Sequence, residues 1–403
     1  MPSLDTLRVA LVHDWLTGMR GGEKCLEVLC ELFPHADLFT LVHRKGSVSP
    51  TIESRVVRES FIGRLPMGRA RYRMFVPLYP LAIESFDLSG YDLVVSSSTC
   101  VAKGALTRSD TLHVCYCHTP VRFFWDLYAE YFRSGRATFL ERLFAPALAH
   151  RFRMWDRLTS DRVDLFIANS RHVRDRIWKH YRRPSLVVNP PVDTEFFEPA
   201  PGGPGLAPDA PYLTVSALVP YKGVELTIRV ANRLKLRLRV VGSGTEERRL
   251  RAMAGPTVRF DDWLSTDALR EAYRSSRALI QAHEEDFGIA PLESLACGRP
   301  VIALGKGGVL DAVTLETGIL FERATEGDLE KAIIELDRRR FDPAALRRHA
   351  LGFAREAYRA RMRAVLEEAY EAFQRRHEDQ GAVERPAVAC GEGQGVARPS
   401  ASI

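Results

Sequence analysis

Two successive series of short apolar runs, each alternating with helix-like segments, constrain the fold of this 403-residue chain more than any other feature. The first series starts at residues 7–12, and the second starts at 213–216 and ends at 319–321. A strand that helices cover on both faces of a parallel sheet has a nearly continuous apolar sequence. The pattern therefore predicts an α/β protein with two Rossmann-like, doubly wound units. The other predicted strands are 38–42, 93–97, 112–117, 165–168, 238–241, 258–260, 278–281 and 301–304.

A segment rich in proline and glycine separates the two series. Residues 198–211 lack hydrophobic periodicity and are typical of an interdomain linker, so we expect one domain at 1–197 and a second at 212–357. Residues 344–375 favour helix almost throughout. From residue 377 to 403 the apolar periodicity is lost, which predicts a disordered tail.

Composition and cysteine usage exclude several classes of protein. With 46% apolar and 27% charged residues the chain is not largely disordered. No apolar run approaches the roughly 20 residues that span a bilayer, and the polar N-terminus does not resemble a secretory signal, so we expect a cytoplasmic protein. Seven cysteines form a poor disulfide framework. Cys115 and Cys117 precede His118, but no second half of a zinc site follows, so we predict buried thiols and no metal.

Arginines cluster in the N-terminal half, interleaved with apolar and aromatic residues. One interpretation is a solvated helix face; the other is a basic amphipathic surface that contacts an anionic membrane peripherally. No nucleic-acid-binding motif accompanies the charge, so we expect no nucleic-acid partner. The arginines concerned are Arg64, Arg69, Arg71, Arg73, Arg133, Arg136, Arg142, Arg151, Arg153 and Arg157.

Three candidate residues of the first half lie where predicted strands end, which is where open parallel sheets bind ligands. Gly21 and Gly22 open a helix, so backbone N–H groups there suit an anion, although a tight turn alone would explain them. The spacing is not G-x-G-x-x-G, which disfavours an NAD-dependent oxidoreductase. His118 follows strand 112–117 and is either a structural histidine or a cleft residue.

The second half carries a stronger signal. Glu285 and Glu293 flank a loop that opens a helix, and paired carboxylates there suit the vicinal hydroxyls of a sugar and a ribose. Gly288 permits an unusual backbone conformation between them. Lys222 follows a strand and suits phosphate oxygens, although surface lysines are common. Gly242 lies in a G-x-G loop that allows close approach of a nucleotide, which is weak evidence.

The stretch from Glu285 to Glu293 resembles the E-x7-E element of retaining glycosyltransferases of family 4, which have the GT-B fold of two Rossmann-like domains facing a cleft. Other stretches resemble the branch that contains O-antigen-type mannosyltransferases. The resemblance spans residues 7–373. The supporting stretches are 12–16, 21–23, 117–120, 168–170, 190–193 and 294–303.

This resemblance implies roles for the candidate residues. Glu293 would hold the ribose, Glu285 would contact the transferred sugar, and Lys222 would neutralise the diphosphate. His118 would lie near the anomeric carbon. The residues expected to approach the donor through their backbone are Gly21, Gly22, Phe287, Gly288 and Ile289.

The resemblance also implies that residues 358–376 form a helix that crosses back to the first, acceptor-side domain.

The sequence departs from the family pattern at the expected diphosphate site. Relatives commonly carry an Arg about five residues before the Lys, whereas Ala217 stands here, so we expect another arginine to substitute, with Arg20 as a candidate. Asp311, after the Gly307–Gly308 loop, stands where Glu is more usual.

The implied reaction moves a hexose, most simply mannose from GDP-mannose, to a saccharide or polyprenyl-linked saccharide with retention of configuration. The resemblance implies a nucleotide-sugar co-substrate, no other cofactor and no metal. Alternatives are a UDP-sugar-dependent transferase, a sugar-nucleotide epimerase of the same fold, and a catalytically weak sugar-nucleotide-binding subunit. A peripheral position on the inner face of the cell membrane would fit a lipid-linked acceptor.

Overall fold

The computed structural model describes residues 4–129, 139–201 and 209–383, which form two all-parallel sheets flanked by helices. The first sheet has seven strands in the order β3-β2-β1-β4-β5-β6-β7. The chain leaves β1 towards one edge and returns at β4 towards the other, so a switch point lies between these two strands. The strands are β1 Val9–His13, β2 Asp37–Thr40, β3 Val57–Glu59, β4 Leu93–Ser98, β5 Leu112–Cys117, β6 Leu165–Ala168 and β7 Ser185–Val187.

The second sheet has six strands in the order β10-β9-β8-β11-β12-β13, with the same reversal between β8 and β11. Both sheets are thus doubly wound, as the alternating pattern predicts. The strands are β8 Tyr212–Val215, β9 Leu238–Val241, β10 Val258–Asp261, β11 Leu279–Gln281, β12 Val301–Leu304 and β13 Gly318–Phe321.

Thirteen α-helices of the described residues connect and cover these strands. Capping residues begin several of them: the Ser170 side chain accepts a hydrogen bond from Val173 N, and the Ser265 side chain accepts one from Ala268 N. The helices are α1 Gly21–Leu32, α2 Pro50–Glu53, α3 Tyr79–Glu84, α4 Phe139–Thr159, α5 Arg171–Tyr181, α6 Val224–Leu234, α7 Glu247–Met253, α8 Thr266–Arg274, α9 Ile289–Ala296, α10 Val309–Ala312, α11 Glu326–Arg338, α12 Pro343–Leu351 and α13 Arg355–Val383.

Helix α13 returns from the second sheet to the first. Its apolar residues recur every three or four positions and pack into the core beneath β1, β4 and β5. At its start, Arg355 pairs with Glu27 and Glu31 of α1, with the Arg355 Nη1 and Glu27 Oε2 atoms 2.8 Å apart. The helix therefore ties the two halves of the chain together. The packed residues are Tyr358, Met362, Leu366, Tyr370 and Phe373.

The structure corrects two expectations for the C-terminal region. The helical stretch predicted at 344–375 is divided at Gly352 into α12 and α13. Helix α13 then continues to Val383, so the prediction of disorder from residue 377 is wrong as far as 383. The rest of that predicted tail, 384–403, lies outside the described residues, as do 202–208 of the predicted linker.

Cys115 and Cys117 are buried free thiols, as predicted. Within the described ranges no helix is long and apolar enough to cross a membrane. In the same part of the chain, no group of three or more His, Cys, Asp and Glu side chains is arranged to hold a metal ion.

Candidate functional site

Glu293 lies one turn into α9 and points towards the first domain. Only 5% of it is exposed, and its carboxylate accepts hydrogen bonds from Tyr273 Oη and from Lys24 Nζ, each at 2.8 Å. Lys24 belongs to α1, so the contact bridges the two halves of the chain. The negative charge of Glu293 raises the pKa of Lys24 above its ordinary value. The carboxylate predicted to hold a ribose thus forms an ion pair with a lysine of the first domain.

Glu285 lies in the loop between β11 and α9, beside Lys222 and His283. Lys222 Nζ forms an ion pair with Glu285 Oε1, and His283 Nε2 lies 3.1 Å from the same oxygen. Burial alone would raise the pKa of the Glu285 carboxyl, but the hydrogen bond from His283 and the charge of Lys222 hold that pKa well below its ordinary value. Glu285 is therefore an ionised acceptor beside a cation.

Glycine at position 223 allows Lys222 to reach Glu285. Lys222 ends a 3-10 turn over Pro220–Lys222, and Gly223 follows with a φ of 60°. A Cβ on Gly223 would lie 2.5 Å from the carbonyl oxygen of Ala282, so any larger residue would push the two loops apart. The close approach of these loops fixes the Lys222–Glu285 pair.

The other predicted residues of the second domain line the same loops. Gly288, with a φ of 91°, precedes the first residue of α9, Ile289. The Phe287 side chain is buried in the core, so only its backbone is available to a ligand. Gly242 lies against Ser216, and a Cβ there would be 2.0 Å from the Ser216 carbonyl oxygen. Gly242 thus lies directly after β9, against the segment that follows β8.

In the first domain, Gly22 and His118 are neighbours at the carboxyl ends of β1 and β5. A Cβ on Gly22 would lie 3.6 Å from His118 Nε2. Ser97 Oγ lies 2.9 Å from His118 Nε2 and 3.1 Å from His13 Nδ1, which links both rings. Burial lowers the pKa of His118 to about 3. The ring is therefore neutral near pH 7 and forms hydrogen bonds without carrying a charge.

Gly21 connects this group to the second domain. A Cβ on Gly21 would lie 3.1 Å from Ile289 Cδ1, at the first turn of α9. The structure thus brings Gly21, Gly22 and His118 opposite the start of α9. The N-termini of α1 and α9 meet at this point, and the partial positive charges of these helix ends favour an anion between them.

Sequence reasoning missed Asp286, which links the two domains. Its carboxylate pairs with Arg122 at 2.8 Å and Arg176 at 2.5 Å, and its Oδ1 lies 3.3 Å from Thr119 Oγ1. The Ser170 hydroxyl donates to its carbonyl oxygen. Both arginines belong to the first domain. The only signal in the sequence was the position of Asp286 beside Glu285.

A second link of the same kind involves Asp311. Its carboxylate accepts from the backbone N–H of Arg171 at 2.7 Å and from the Arg171 side chain at 2.5 Å. Asn189 Nδ2 lies 3.3 Å from the same carboxylate. Asp311, which stands where relatives more usually carry Glu, therefore contacts the first domain.

Arg122 is the arginine that reaches the predicted diphosphate site. Its Nη1 atom lies 3.9 Å from Glu285 Oε2, and its Cζ atom lies 5.6 Å from the ring centroid of Tyr221, the residue before Lys222. Arg20 instead lines a separate cavity. Arg122 follows His118 by four positions, but no sequence pattern distinguishes it from the other arginines.

Comparisons with known proteins agree with this architecture. Residues 21–196 match the family described as Glycosyltransferase Family 4, and residues 207–350 match Glycosyl transferases group 1. The two sheets thus have the GT-B arrangement, and each domain matches one of these two family descriptions. It is 34% identical over 225 residues to the D-inositol 3-phosphate glycosyltransferase of Geodermatophilus obscurus, a match that covers 48% of this chain and 50% of that protein. The chain thus spans about half the length of this relative.

Two solved structures share the fold. Anabaena HepE in complex with UDP-glucose has a TM-score of 0.64 at 16% identity, covering 89% of this chain and 99% of that one. Sucrose-phosphate synthase from Thermosynechococcus elongatus has a TM-score of 0.68 at 16% identity, covering 91% and 100%. At this identity the likeness establishes the fold.

Proposed function

We propose that the protein is a retaining glycosyltransferase that moves a hexose from a nucleotide sugar to an acceptor hydroxyl. Two ion pairs beside α9 carry the proposal: Glu285 with Lys222 of the same domain, and Glu293 with Lys24 across the cleft. In this proposal residues 212–357 bind the nucleotide sugar and residues 1–197 bind the acceptor. The family matches and the nucleotide-sugar complex of HepE support it.

Both carboxylates exchange partners when the donor binds. Glu293 leaves Lys24 for the ribose hydroxyls, while Tyr273 continues to hold its other oxygen. Lys222 leaves Glu285 for the diphosphate, and Glu285 accepts hydrogen bonds from the sugar. Lys222 thus faces an anion before and after binding, while Arg122 and His283 stay beside Glu285.

The chemistry consists of charge stabilisation and positioning. As the bond to the diphosphate breaks, negative charge develops on the phosphate oxygens, and Lys222, Arg122 and the N-terminus of α9 stabilise it. The leaving phosphate accepts the proton of the acceptor hydroxyl on the same face of the sugar. The proposal requires no metal and no further cofactor. Neutral His118 donates or accepts a hydrogen bond near the anomeric carbon.

The donor we favour is GDP-mannose, on the resemblance to the mannosyltransferase branch; a UDP-sugar is the alternative, which the UDP-glucose complex of HepE favours. The acceptor we favour is a saccharide or polyprenyl-linked saccharide at the inner face of the cell membrane. Exposed apolar side chains beside the arginines of residues 64–73 support peripheral membrane contact. They are Met67, Met74, Leu78 and Leu81.

A second candidate function is transfer to a phosphorylated polyol. The curated relatives that match half of the chain are named D-inositol 3-phosphate glycosyltransferases, which favours an acceptor of this class. Such an acceptor would be free in solution rather than linked to a lipid.

Replacing Glu293 by glutamine should weaken nucleotide-sugar binding about 10- to 100-fold, since charge-assisted hydrogen bonds to two hydroxyls become neutral ones. The measurement is the thermal stabilisation of native and variant protein by GDP-mannose, UDP-glucose and UDP-N-acetylglucosamine over a concentration series. Glu316→Gln is the matched control because Glu316 is exposed before β13, at the opposite edge of the sheet. Equal binding by the variant, or stabilisation of the native protein by none of the three, would contradict the proposal.

A further inference from the structure

A cavity of about 210 Å³ on the first domain is lined by four arginines. Arg20 comes from the loop after β1, Arg44 from the loop after β2, and Arg71 and Arg73 from the segment after β3. The carboxyl ends of these parallel strands share one edge of the sheet with His118. The cavity therefore opens on the cleft side, towards the β3 end of the sheet. The other lining residues are Thr17, Ala70 and Tyr72.

These four arginines are exposed, and within the described ranges no carboxylate forms an ion pair with any of them. The acids of the same region have other partners. Glu53 pairs with His43 at 3.1 Å, and Glu59 pairs with Arg69 at 2.5 Å. Four guanidinium groups around one cavity repel one another, and an anion that enters relieves this repulsion.

Hydrogen bonds and ring contacts hold the backbone that carries the arginines. The N–H of Arg44 donates to Leu16 O at 2.8 Å, which joins the loops after β1 and β2. The ring of Tyr72 packs 5.5 Å from that of Trp15, and Arg73 Cζ lies 5.5 Å from the Tyr72 ring. The cavity is therefore built by three anchored segments, and only the ends of the side chains need to move to bind a ligand.

We propose that this arginine cavity, lined by Arg20, Arg44, Arg71 and Arg73, binds a phosphate or diphosphate group of the acceptor substrate. The guanidinium group matches phosphate oxygens in bidentate pairs. Arg20 precedes Gly22 by two residues, at most about 7–8 Å along the chain, and Gly22 adjoins His118. A phosphate held there would lie at the same edge of the first sheet as His118.

The inference rests on the proposed transferase function, and its test separates the two. Inorganic pyrophosphate is titrated by calorimetry into native full-length protein saturated with GDP or UDP, so that a nucleotide fills the donor site. The comparison variants are Arg44→Met/Arg71→Met and the control Arg64→Met, an exposed arginine of the same region that does not line the cavity. We expect binding by the native protein and the control, and at least about tenfold weaker binding by the double variant.

Stabilisation by nucleotide sugar is measured in parallel and should be the same in all three proteins. Two results would overturn the proposed role of the arginine cavity. One is pyrophosphate binding of equal strength in the double variant, and the other is loss of pyrophosphate binding when the nucleotide is bound. Binding of phosphatidylglycerol vesicles through Arg44 and Arg71 without pyrophosphate binding would overturn it as well, since the arginines would then contact a lipid surface. Failure of every nucleotide sugar to bind would instead overturn the transferase function, whatever pyrophosphate does.

Discussion

Replacing Lys222 by methionine should lower the turnover number for hexose transfer about 10²- to 10³-fold. Lys222 is the cation that pairs with ionised Glu285, and in our account it moves to the diphosphate as the sugar leaves. Methionine keeps most of the side-chain volume but cannot stabilise the developing charge. Arg122 remains nearby, which is why we expect residual activity rather than none.

The measurement is the steady-state rate of transfer at saturating nucleotide sugar, with the Michaelis constant determined in the same series. Lys331→Met is the matched control, because Lys331 is exposed on α11 and lies outside the cleft. A turnover number within about threefold of native would remove Lys222 from the account of catalysis. A large rise in the Michaelis constant with unchanged turnover would restrict Lys222 to ground-state binding.

Replacing Lys103 by methionine should destabilise the first domain by about 3–5 kcal/mol, the cost of leaving a buried charge without its partner. Lys103 is 1% exposed and its Nζ lies 3.0 Å from Asp156 Oδ1, while Asp156 is fully buried. Asp156 also accepts hydrogen bonds from Trp125 at 2.7 Å and Tyr181 at 2.9 Å. The lysine thus joins the segment after β4 to α4 and α5.

Urea unfolding followed by tryptophan fluorescence tests this prediction, since the ring of Trp155 lies 5.5 Å from Lys103 Nζ. The double variant with Asp156→Asn should recover part of the lost stability, because it removes the unpaired charge. A loss below about 1 kcal/mol in Lys103→Met, or no recovery in the double variant, would show that the pair does not support the domain.

The sequence predicted structure best where the features of a segment are set by its own residues and their immediate neighbours in the chain. Central strands such as β5 and β9 consist mainly of apolar residues, and their observed bounds equal the predicted 112–117 and 238–241. The strands β3 and β7 were not predicted, because each is three residues long, lies at an edge of the sheet and is only partly buried. Without two covered faces, they lack the continuous apolar signature.

The candidate site likewise contains residues that a local sequence pattern predicts and residues that it does not. Glu285, Glu293 and Gly288 lie within one loop and helix, so their spacing alone made them recognisable. Lys24 and Arg122 come from the other domain, 269 and 164 residues from the carboxylates they contact on Glu293 and Asp286. These contacts depend on how the two sheets face each other, and a local sequence pattern carries no information about that arrangement.

The most direct test of the central claim is the anomeric configuration of the product, read by proton NMR after incubation with GDP-mannose and a lipid-linked saccharide extract. We expect a mannosylated product with the α configuration of the donor, formed by the native protein and about 10²- to 10³-fold more slowly by Lys222→Met. A β-linked product, or an isomerised sugar nucleotide with no transfer from GDP- or UDP-sugars, would contradict it.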